Sequence, residues 1–388
     1  MLFLLSWFSL LFFLYTRNSI NNSITDNSNW PSNPAQRIKD PAFNLTLNPD
    51  KKIVLLVTSF RGGSTFLGQI FDSNPAMQYL YEPFHESHVR NLFKRGLLVG
   101  ARPDHTISDL RMLYLQQILH NCTLFNTIIV QEKHAYCGTP EENLHRFNTA
   151  ECVKPRTEGG IHHEVCQYRE TTALKVIRLN QLADILKIRN IRTANIKIVH
   201  LLRNPLPMMK SRRTGWNYFM WDSMKMLEFV GSTAHENSIK ESYESFEYCH
   251  NNMNSIAFVN NEPWLKDRYL RVTHTDMSLE PLVTAQKIYD FIGDELTDEI
   301  KNYIVNITGG DPAINSEDGK PKKRNPLEFR KNSAELVTQW ENLDWYLKYS
   351  DLYNIESQCV RLMDLLSERF SVDAMSAVEI GRVLNPHL

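Results

Sequence analysis

The feature that most constrains this chain is a continuous apolar run, Ile53-Val54-Leu55-Leu56-Val57, that leads within four residues into Arg61-Gly62-Gly63-Ser64-Thr65. A run with no polar alternation is apolar on both faces, which suits a strand buried between two layers of helix. Phe66 to Phe71 then has the pattern of an amphipathic helix. The segment therefore predicts strand, tight loop and helix in immediate succession.

The same unit recurs along the chain. Ala173 to Ile177 leads into a helical pattern over Asn180 to Ile188, and Ile196 to Leu202 leads into Arg203-Asn204-Pro205. Asn204 is placed to cap the next helix, with Pro205 at its first position, where a missing N–H does no harm. Shorter strands are expected at Met77 to Tyr81, Thr127 to Val130 and Tyr269 to Val272. Helical periodicity covers Ile107 to His120, Ile239 to Phe258, Leu279 to Ile292 and Glu356 to Arg369, and His134 to Glu170 reads as irregular. Strands alternating with helices imply an α/β fold, a central parallel sheet flanked by helices, in one domain of this 388-residue chain.

The first loop has a physical use. Its glycines permit unusual dihedrals and close backbone approach. Free N–H groups at the helix start, aligned with the macrodipole, favour a bound phosphate. Ser64 and Thr65 add hydroxyl donors, and Arg61 adds a permanent forked cation. The pattern G-x-x-x-x-G-K-[ST] is absent, because no lysine precedes Ser64. A phosphate site without a metal is expected, not an ATP or GTP site. The alternative is a plain tight turn, but its place after a buried strand of a parallel sheet favours a ligand site.

A second basic group stands at another strand end. Arg203 closes the Ile196 to Leu202 run, and Ser211 lies eight residues on, two turns into the following helix. Both are expected to reach one anionic group, the guanidinium as a fork and the hydroxyl as a donor. A solvated basic helix end, with Lys210, Arg212 and Arg213 alongside, is the competing reading. Lys plus Arg is 43 and Asp plus Glu is 44, so an anion must be held by such local clusters and not by the global field. No nucleic-acid partner is expected.

The amino terminus bears on location. Leu2 to Tyr15 is apolar except for Ser6 and Ser9, and Arg17 follows. As a helix it would extend roughly 21 Å, short of the ~30 Å hydrocarbon core. No small-residue cleavage site follows, which favours a retained signal anchor over 1–17 above a cleaved signal sequence. The Asn-, Ser- and Pro-rich stretch after it reads as a stem over 18–50, then a catalytic domain over 51–375 and a tail over 376–388. Secretory passage would allow glycosylation at the Asn21, Asn44, Asn121 and Asn306 sequons. It would also allow pairing among the six cysteines, with partners left open. His162-His163 with Cys166 reads as a cystine loop with surface histidines, not a metal site.

The ordered set of motifs resembles the Golgi carbohydrate sulfotransferases. Thr58 to Phe66 is similar to their 5′-phosphosulfate loop, R-S-G-S-S-F or R-T-G-S-T, and Leu202 to Ser211 to their 3′-phosphate motif, R-D-P-R-x-x-x-x-S. Tyr81-Glu82-Pro83, Tyr269-Leu270-Arg271-Val272 and Glu280-Pro281-Leu282 running into Ile288 to Gly293 match recurrent segments of the branch that sulfates 6-hydroxyls of galactose, N-acetylglucosamine or N-acetylgalactosamine. Asn204 stands where the family has Asp, and Leu206 where Arg is frequent. Gly63 is taken to replace a variable position without consequence.

The resemblance implies transfer of a sulfuryl group from 3′-phosphoadenosine 5′-phosphosulfate (PAPS) to a sugar hydroxyl of a glycan or glycosaminoglycan. No metal is implied, and the enzyme would be a type II protein with its catalytic domain in the Golgi lumen. Arg61 would neutralise charge on the phosphosulfate, helped by Gly62, Gly63, Ser64, Thr65 and Phe66, while Arg203 and Ser211 would anchor the 3′-phosphate. Glu82 is the implied general base, and as a free carboxylate it needs burial to raise its pKa toward neutrality. His85 and His88 are runner-up bases, and Lys175 and Arg178 are strand-end cations near acceptor or nucleotide. A nucleotide kinase on the same scaffold would instead show magnesium-dependent ATP binding, and a non-catalytic glycan-binding protein would bind glycan without turnover.

Overall fold

The computed structural model describes residues 45–121, 169–179, 181–212, 234–308, 337 and 353–368. The expected segments at Thr127 to Val130 and His134 to Glu170, the His162-His163 pair, and the boundaries at 1–17, 18–50 and 376–388 lie outside them.

Five strands form one parallel sheet. In chain order they are β1 (Lys52–Val57), β2 (Met77–Leu80), β3 (Thr171–Val176), β4 (Ile196–Leu202) and β5 (Tyr269–Thr273). Their spatial order is β2-β3-β1-β4-β5, so β1 is central and hydrogen-bonds to β3 and β4. The all-parallel α/β sheet expected from alternating strands and helices is what forms.

The unbroken apolar character of β1 is explained by the layers. Ile53, Leu55 and Val57 face one core cluster, packed with the helices α2 (Glu86–Lys94) and α3 (Ile107–Asn121). Val54 and Leu56 face the other, with α1 (Ser64–Asp72), α7 (Pro281–Ile292) and α8 (Asp298–Thr308). Every residue from Ile53 to Leu56 has no exposed surface. Each aliphatic side chain so buried contributes about 1.5–3 kcal/mol. A third cluster joins the end of β4 and its following helix α4 (205–212) to α5 (Ala234–Asn261) and α9 (Tyr353–Leu366). It is closed by a disulfide between Cys249 and Cys359.

Two helical expectations shift for local reasons. The segment expected as a helix over Asn180 to Ile188 is a 3-10 helix, Leu182–Lys187. Its buried residues Leu182, Ile185 and Ile188 recur every three positions, the period of that tighter winding. The helix expected from Leu279 to Ile292 forms as α7 but begins at Pro281, and Leu279 instead ends a separate short helix, α6 (His274–Leu279), with Glu280 between the two. Pro281 lacks the N–H needed to continue a helix but fits the first position of a new one.

Because all strands run the same way, all five carboxyl ends reach one edge of the sheet. The segments leaving them carry Arg61, Glu82, Arg178, Arg203 and His274, and Lys175 is the next-to-last residue of β3. Ligands bind along this edge in open α/β sheets.

Candidate active site

The loop after β1 turns tightly through the Gly62 N–H donating to the Ser59 carbonyl (2.9 Å). Arg61 has φ 63° and Gly63 φ 92°, both in the left-handed region. Gly63 is the N-cap of α1, and no side chain caps that end. The N–H groups of Ser64 and Thr65 lie in the first turn, so they have no intrahelical acceptor. Ser64 is buried beneath the loop and Thr65 is half-buried at its surface. Phe66 turns its ring into the core, 5% exposed, and its N–H bonds the Gly63 carbonyl (3.2 Å). Its part in the loop is to anchor it from below.

The glycines matter differently from the sequence expectation. Gly63, taken as a neutral replacement, is the most constrained residue of the loop. Its φ disfavours any side chain, and a Cβ there would lie 2.2 Å from His274 Cδ2. At Gly62 a Cβ would meet Thr58 Oγ1 at 2.5 Å and the Ser59 carbonyl at 2.8 Å. Neither position has room for even alanine without local movement.

The second motif closes onto the first. Arg61 Nε donates to Ser211 Oγ (3.0 Å), Arg203 Nη1 donates to the Arg61 carbonyl (2.8 Å), and Arg212 Nε donates to the Phe60 carbonyl (3.2 Å). Arg61, Arg203 and Ser211, far apart in sequence, therefore meet at one place. Asn204 caps α4 as expected, its Oδ1 accepting from the Leu206 N–H (2.9 Å), while its Nδ2 donates to the Glu368 carbonyl (3.0 Å). The Asp-to-Asn departure thus keeps the capping acceptor and gains a donor.

Glu82 leaves β2 beside the neighbouring strand β3. It has φ 45°, and its carboxylate is 11% exposed. Lys175 Nζ lies 3.2 Å from Oε1, and Arg178 Nη1 donates to Oε2 at 2.8 Å. Lys175 is 2% exposed and also lies over the Tyr81 ring, 3.9 Å from its centroid. Burial pushes the Glu82 carboxyl up, but Lys175 and then Arg178 outweigh it and hold the pKa below the usual carboxylate value. Burial lowers the Lys175 ammonium to about 8 against the opposing pull of Glu82. The expectation that burial would raise Glu82 toward neutrality is not met, because Lys175 on β3 and Arg178 just beyond it hold the carboxylate.

The runner-up bases are placed elsewhere. His85 Nδ1 contacts Ser87 Oγ (2.8 Å) on an exposed turn. His88 has no exposed surface, packs edge-on to Tyr114 and, among the described residues, has no hydrogen-bond partner for either ring nitrogen. Burial lowers its pKa to about 4.

Two supports escaped the sequence reading. Tyr248 on α5 grips the backbone of Arg203, its hydroxyl accepting from the N–H (3.1 Å) and donating to the carbonyl (2.7 Å). His274, immediately after β5, lies against the glycine loop at Gly63. Its position two residues after the Tyr269 to Val272 match was the available signal.

Residues 51–365 match the sulfotransferase domain family. Human carbohydrate sulfotransferase 5 is 25% identical over 355 residues, covering 86% of this chain and 82% of its own. Human carbohydrate sulfotransferase 1 is 23% identical over 358 residues, covering 86% and 83%. Among solved structures, the sulfotransferase domain from the Synechococcus PCC 7002 olefin synthase superposes with a TM-score of 0.40 at 18% identity, covering 81% of this chain and 98% of that one. With a family match spanning the whole sheet and both basic motifs, and carbohydrate sulfotransferases as its curated relatives, this chain belongs to the sulfotransferase family.

Proposed function

We propose that this protein transfers a sulfuryl group from PAPS to a sugar hydroxyl, the 6-hydroxyl of galactose, N-acetylglucosamine or N-acetylgalactosamine in a glycan or glycosaminoglycan. The observation that carries the reading is the junction of the two basic motifs, Arg61 on Ser211 and Arg203 on the Arg61 carbonyl. A donor with phosphates at both ends of a ribose needs two anion sites at a fixed separation, and that junction holds two such segments rigidly together. The donor-type residues fit: an uncapped helix start carrying Ser64 and Thr65 meets the Arg61 and Arg203 guanidiniums and the Ser211 hydroxyl.

PAPS, when bound, supplies an activated sulfuryl group on a phosphate leaving group. The chain's part is positioning and charge. Arg61 and the N–H groups of Ser64 and Thr65 offset negative charge that builds on the leaving phosphate. Arg203 and Ser211 hold the second phosphate, which gives selection against nucleotides lacking it. Glu82, ionised at neutral pH, is in the form that accepts the acceptor hydroxyl's proton. Lys175 and Arg178 fix its direction at the cost of some basicity.

The same reading has the domain working in the Golgi lumen, anchored through 1–17. The Cys249–Cys359 disulfide supports an oxidising compartment. The curated relatives named carbohydrate sulfotransferases support a glycan acceptor. The test is transfer of radiolabelled sulfate from PAPS to keratan, chondroitin and N-acetylglucosamine-terminated acceptors. Label on none of them, with protein that is folded, overturns the reading.

A further inference from the structure

The tip of β5 carries a residue that neither basic motif contains. Thr273 caps α6, its Oγ1 accepting from the Asp276 N–H (2.9 Å), and this fixes His274 as the first residue of the helix. The ring is half-buried, with its Cδ2–Nε2 edge turned to Gly63. From an ideal Cβ on Gly63 those two atoms would be 2.2 and 3.0 Å away. Nδ1 is turned the other way, 3.4 Å from Ser278 Oγ. Nε2 thus lies beside the uncapped start of α1, where the N–H groups of Ser64 and Thr65 open.

Among the described residues, the charged group that acts on this ring is Arg203, just beyond β4. Asp276 is two residues on in α6, where its N–H bonds Thr273 Oγ1. Glu368, beyond α9, is bonded by the hydroxyl of Thr275. Burial, followed by the Arg203 guanidinium, holds the imidazole well below its ordinary pKa, so it is neutral at pH 7. A neutral imidazole held beside the Arg203 guanidinium and an open helix start gains a reason to charge when an anion arrives, because an anion within a few ångströms favours the protonated form.

We propose that His274 is a donor-phosphate ligand: its Nε2–H donates to an oxyanion held on the Gly62–Thr65 loop, and arrival of that anion draws a proton onto the ring. The inference rests on the nucleotide reading above and adds a third contact, from β5, to those from β1 and β4. It also explains why Gly63 has no side chain, since the imidazole fills the space a side chain would take.

The test is calorimetric binding of adenosine 3′,5′-bisphosphate near pH 6 in buffers of different ionisation enthalpy, with wild type, His274→Gln and His274→Phe. The nucleotide phosphates titrate near pH 6 themselves, so the readout is the difference between wild type and variants. Wild type is expected to take up a larger fraction of a proton per nucleotide than either variant. His274→Phe is expected to bind about tenfold more weakly, the loss of one charge-assisted hydrogen bond. His274→Gln keeps an N–H donor, so it retains more affinity but loses the extra proton uptake. Nitrogen chemical shifts of the His274 ring in wild type, recorded with and without nucleotide, check the protonation in a protein whose folding is not in question. Equal affinity and equal proton uptake in all three proteins, or a ring that stays neutral in the complex, overturns the role of His274 while leaving donor binding intact. Absence of nucleotide binding by wild type overturns both readings.

Discussion

Arg61 Nε and Ser211 Oγ meet at 3.0 Å across 150 positions of sequence, so the side chain that leads the glycine loop after β1 is held by the helix that follows β4. Arg203 completes the junction from the other side by donating to the Arg61 carbonyl. Neither loop is positioned independently of the other.

Arg61→Ala is therefore expected to lower kcat at least 100-fold, the scale seen when one preorganised donor to a developing oxyanion is removed. The Arg61 carbonyl remains available to Arg203, so the fold should persist. Ser211→Ala should have a smaller effect, about tenfold, expressed through donor KM and through freedom of the Arg61 side chain. Steady-state kinetics with PAPS, beside thermal melts of each variant, measures both. Normal turnover in a folded Arg61→Ala protein rules out its proposed role.

The pair of cations on Glu82 makes its substitution informative in two ways. Glu82→Gln should retain donor binding while turnover falls about 100- to 10,000-fold, the usual contribution of a positioned base. It should also reduce stability by about 3–5 kcal/mol, because Lys175, 2% exposed, loses its carboxylate. A charge-removing double variant, Glu82→Gln with Lys175→Met, should recover much of the stability and none of the activity. The Glu82 pKa is lowered, so the acidic limb of the wild-type pH–rate profile should lie below 4.5, with Glu82 active as carboxylate above it. An acidic limb near neutrality would assign the base to another group.

Much of the fold was legible because β1 is apolar on both faces, and only a buried parallel strand asks for that. The loop, the Asn204 cap and Pro205 were legible because each is a local signal. The chemistry of Glu82 was not. Its partners, Lys175 on β3 and Arg178 just beyond it, come over ninety residues later and become neighbours only because the sheet order places β3 beside β2. The same holds for Gly63. Its need for glycine comes from His274, two strands away across β4, so a loop pattern read alone assigned it no importance. Adjacency of strands carries no signature within either strand.

Acid should destabilise the protein through two buried histidines. His88 and His200 are both lowered by burial to about 4 from an ordinary 6.5, His200 while bonded to Tyr269 and Asn252. Each is neutral in the fold but takes a proton in the unfolded chain below about 6.5. Stability is thus fully present above pH 6.5 and falls as pH drops toward 4, by up to about 3 kcal/mol for each group. His88→Phe should raise Tm at pH 7, since both ring nitrogens are buried without partners, and should flatten the loss on acidification. Melts from pH 4.5 to 7.5 read this directly. Parallel curves for wild type and His88→Phe would show that His88 does not contribute to the acid loss.

The disulfide links stability to the Arg203 segment by a route of named contacts. Cys249 follows Tyr248, whose hydroxyl holds both backbone groups of Arg203, and Cys359 lies on α9. Beyond the end of that helix, Glu368 holds Asn204 through its carbonyl and Thr275 through its side chain. Closing a loop of 110 residues restricts the unfolded chain by an amount worth about 4–5 kcal/mol in the entropic account, of which 2–4 is commonly realised. Reduction, or the paired change Cys249→Ser with Cys359→Ser, should therefore lower stability by about 2–4 kcal/mol. It should also weaken adenosine 3′,5′-bisphosphate binding at temperatures where the protein is still folded, because both holds on the Arg203 segment loosen together. Tyr248→Phe separates the two effects: it removes the hydroxyl's bonds to Arg203 while leaving the disulfide, so affinity should fall with a smaller change in Tm. If reduced protein keeps its affinity while Tm drops, the disulfide serves the fold alone and the route through Tyr248 carries no part of donor binding.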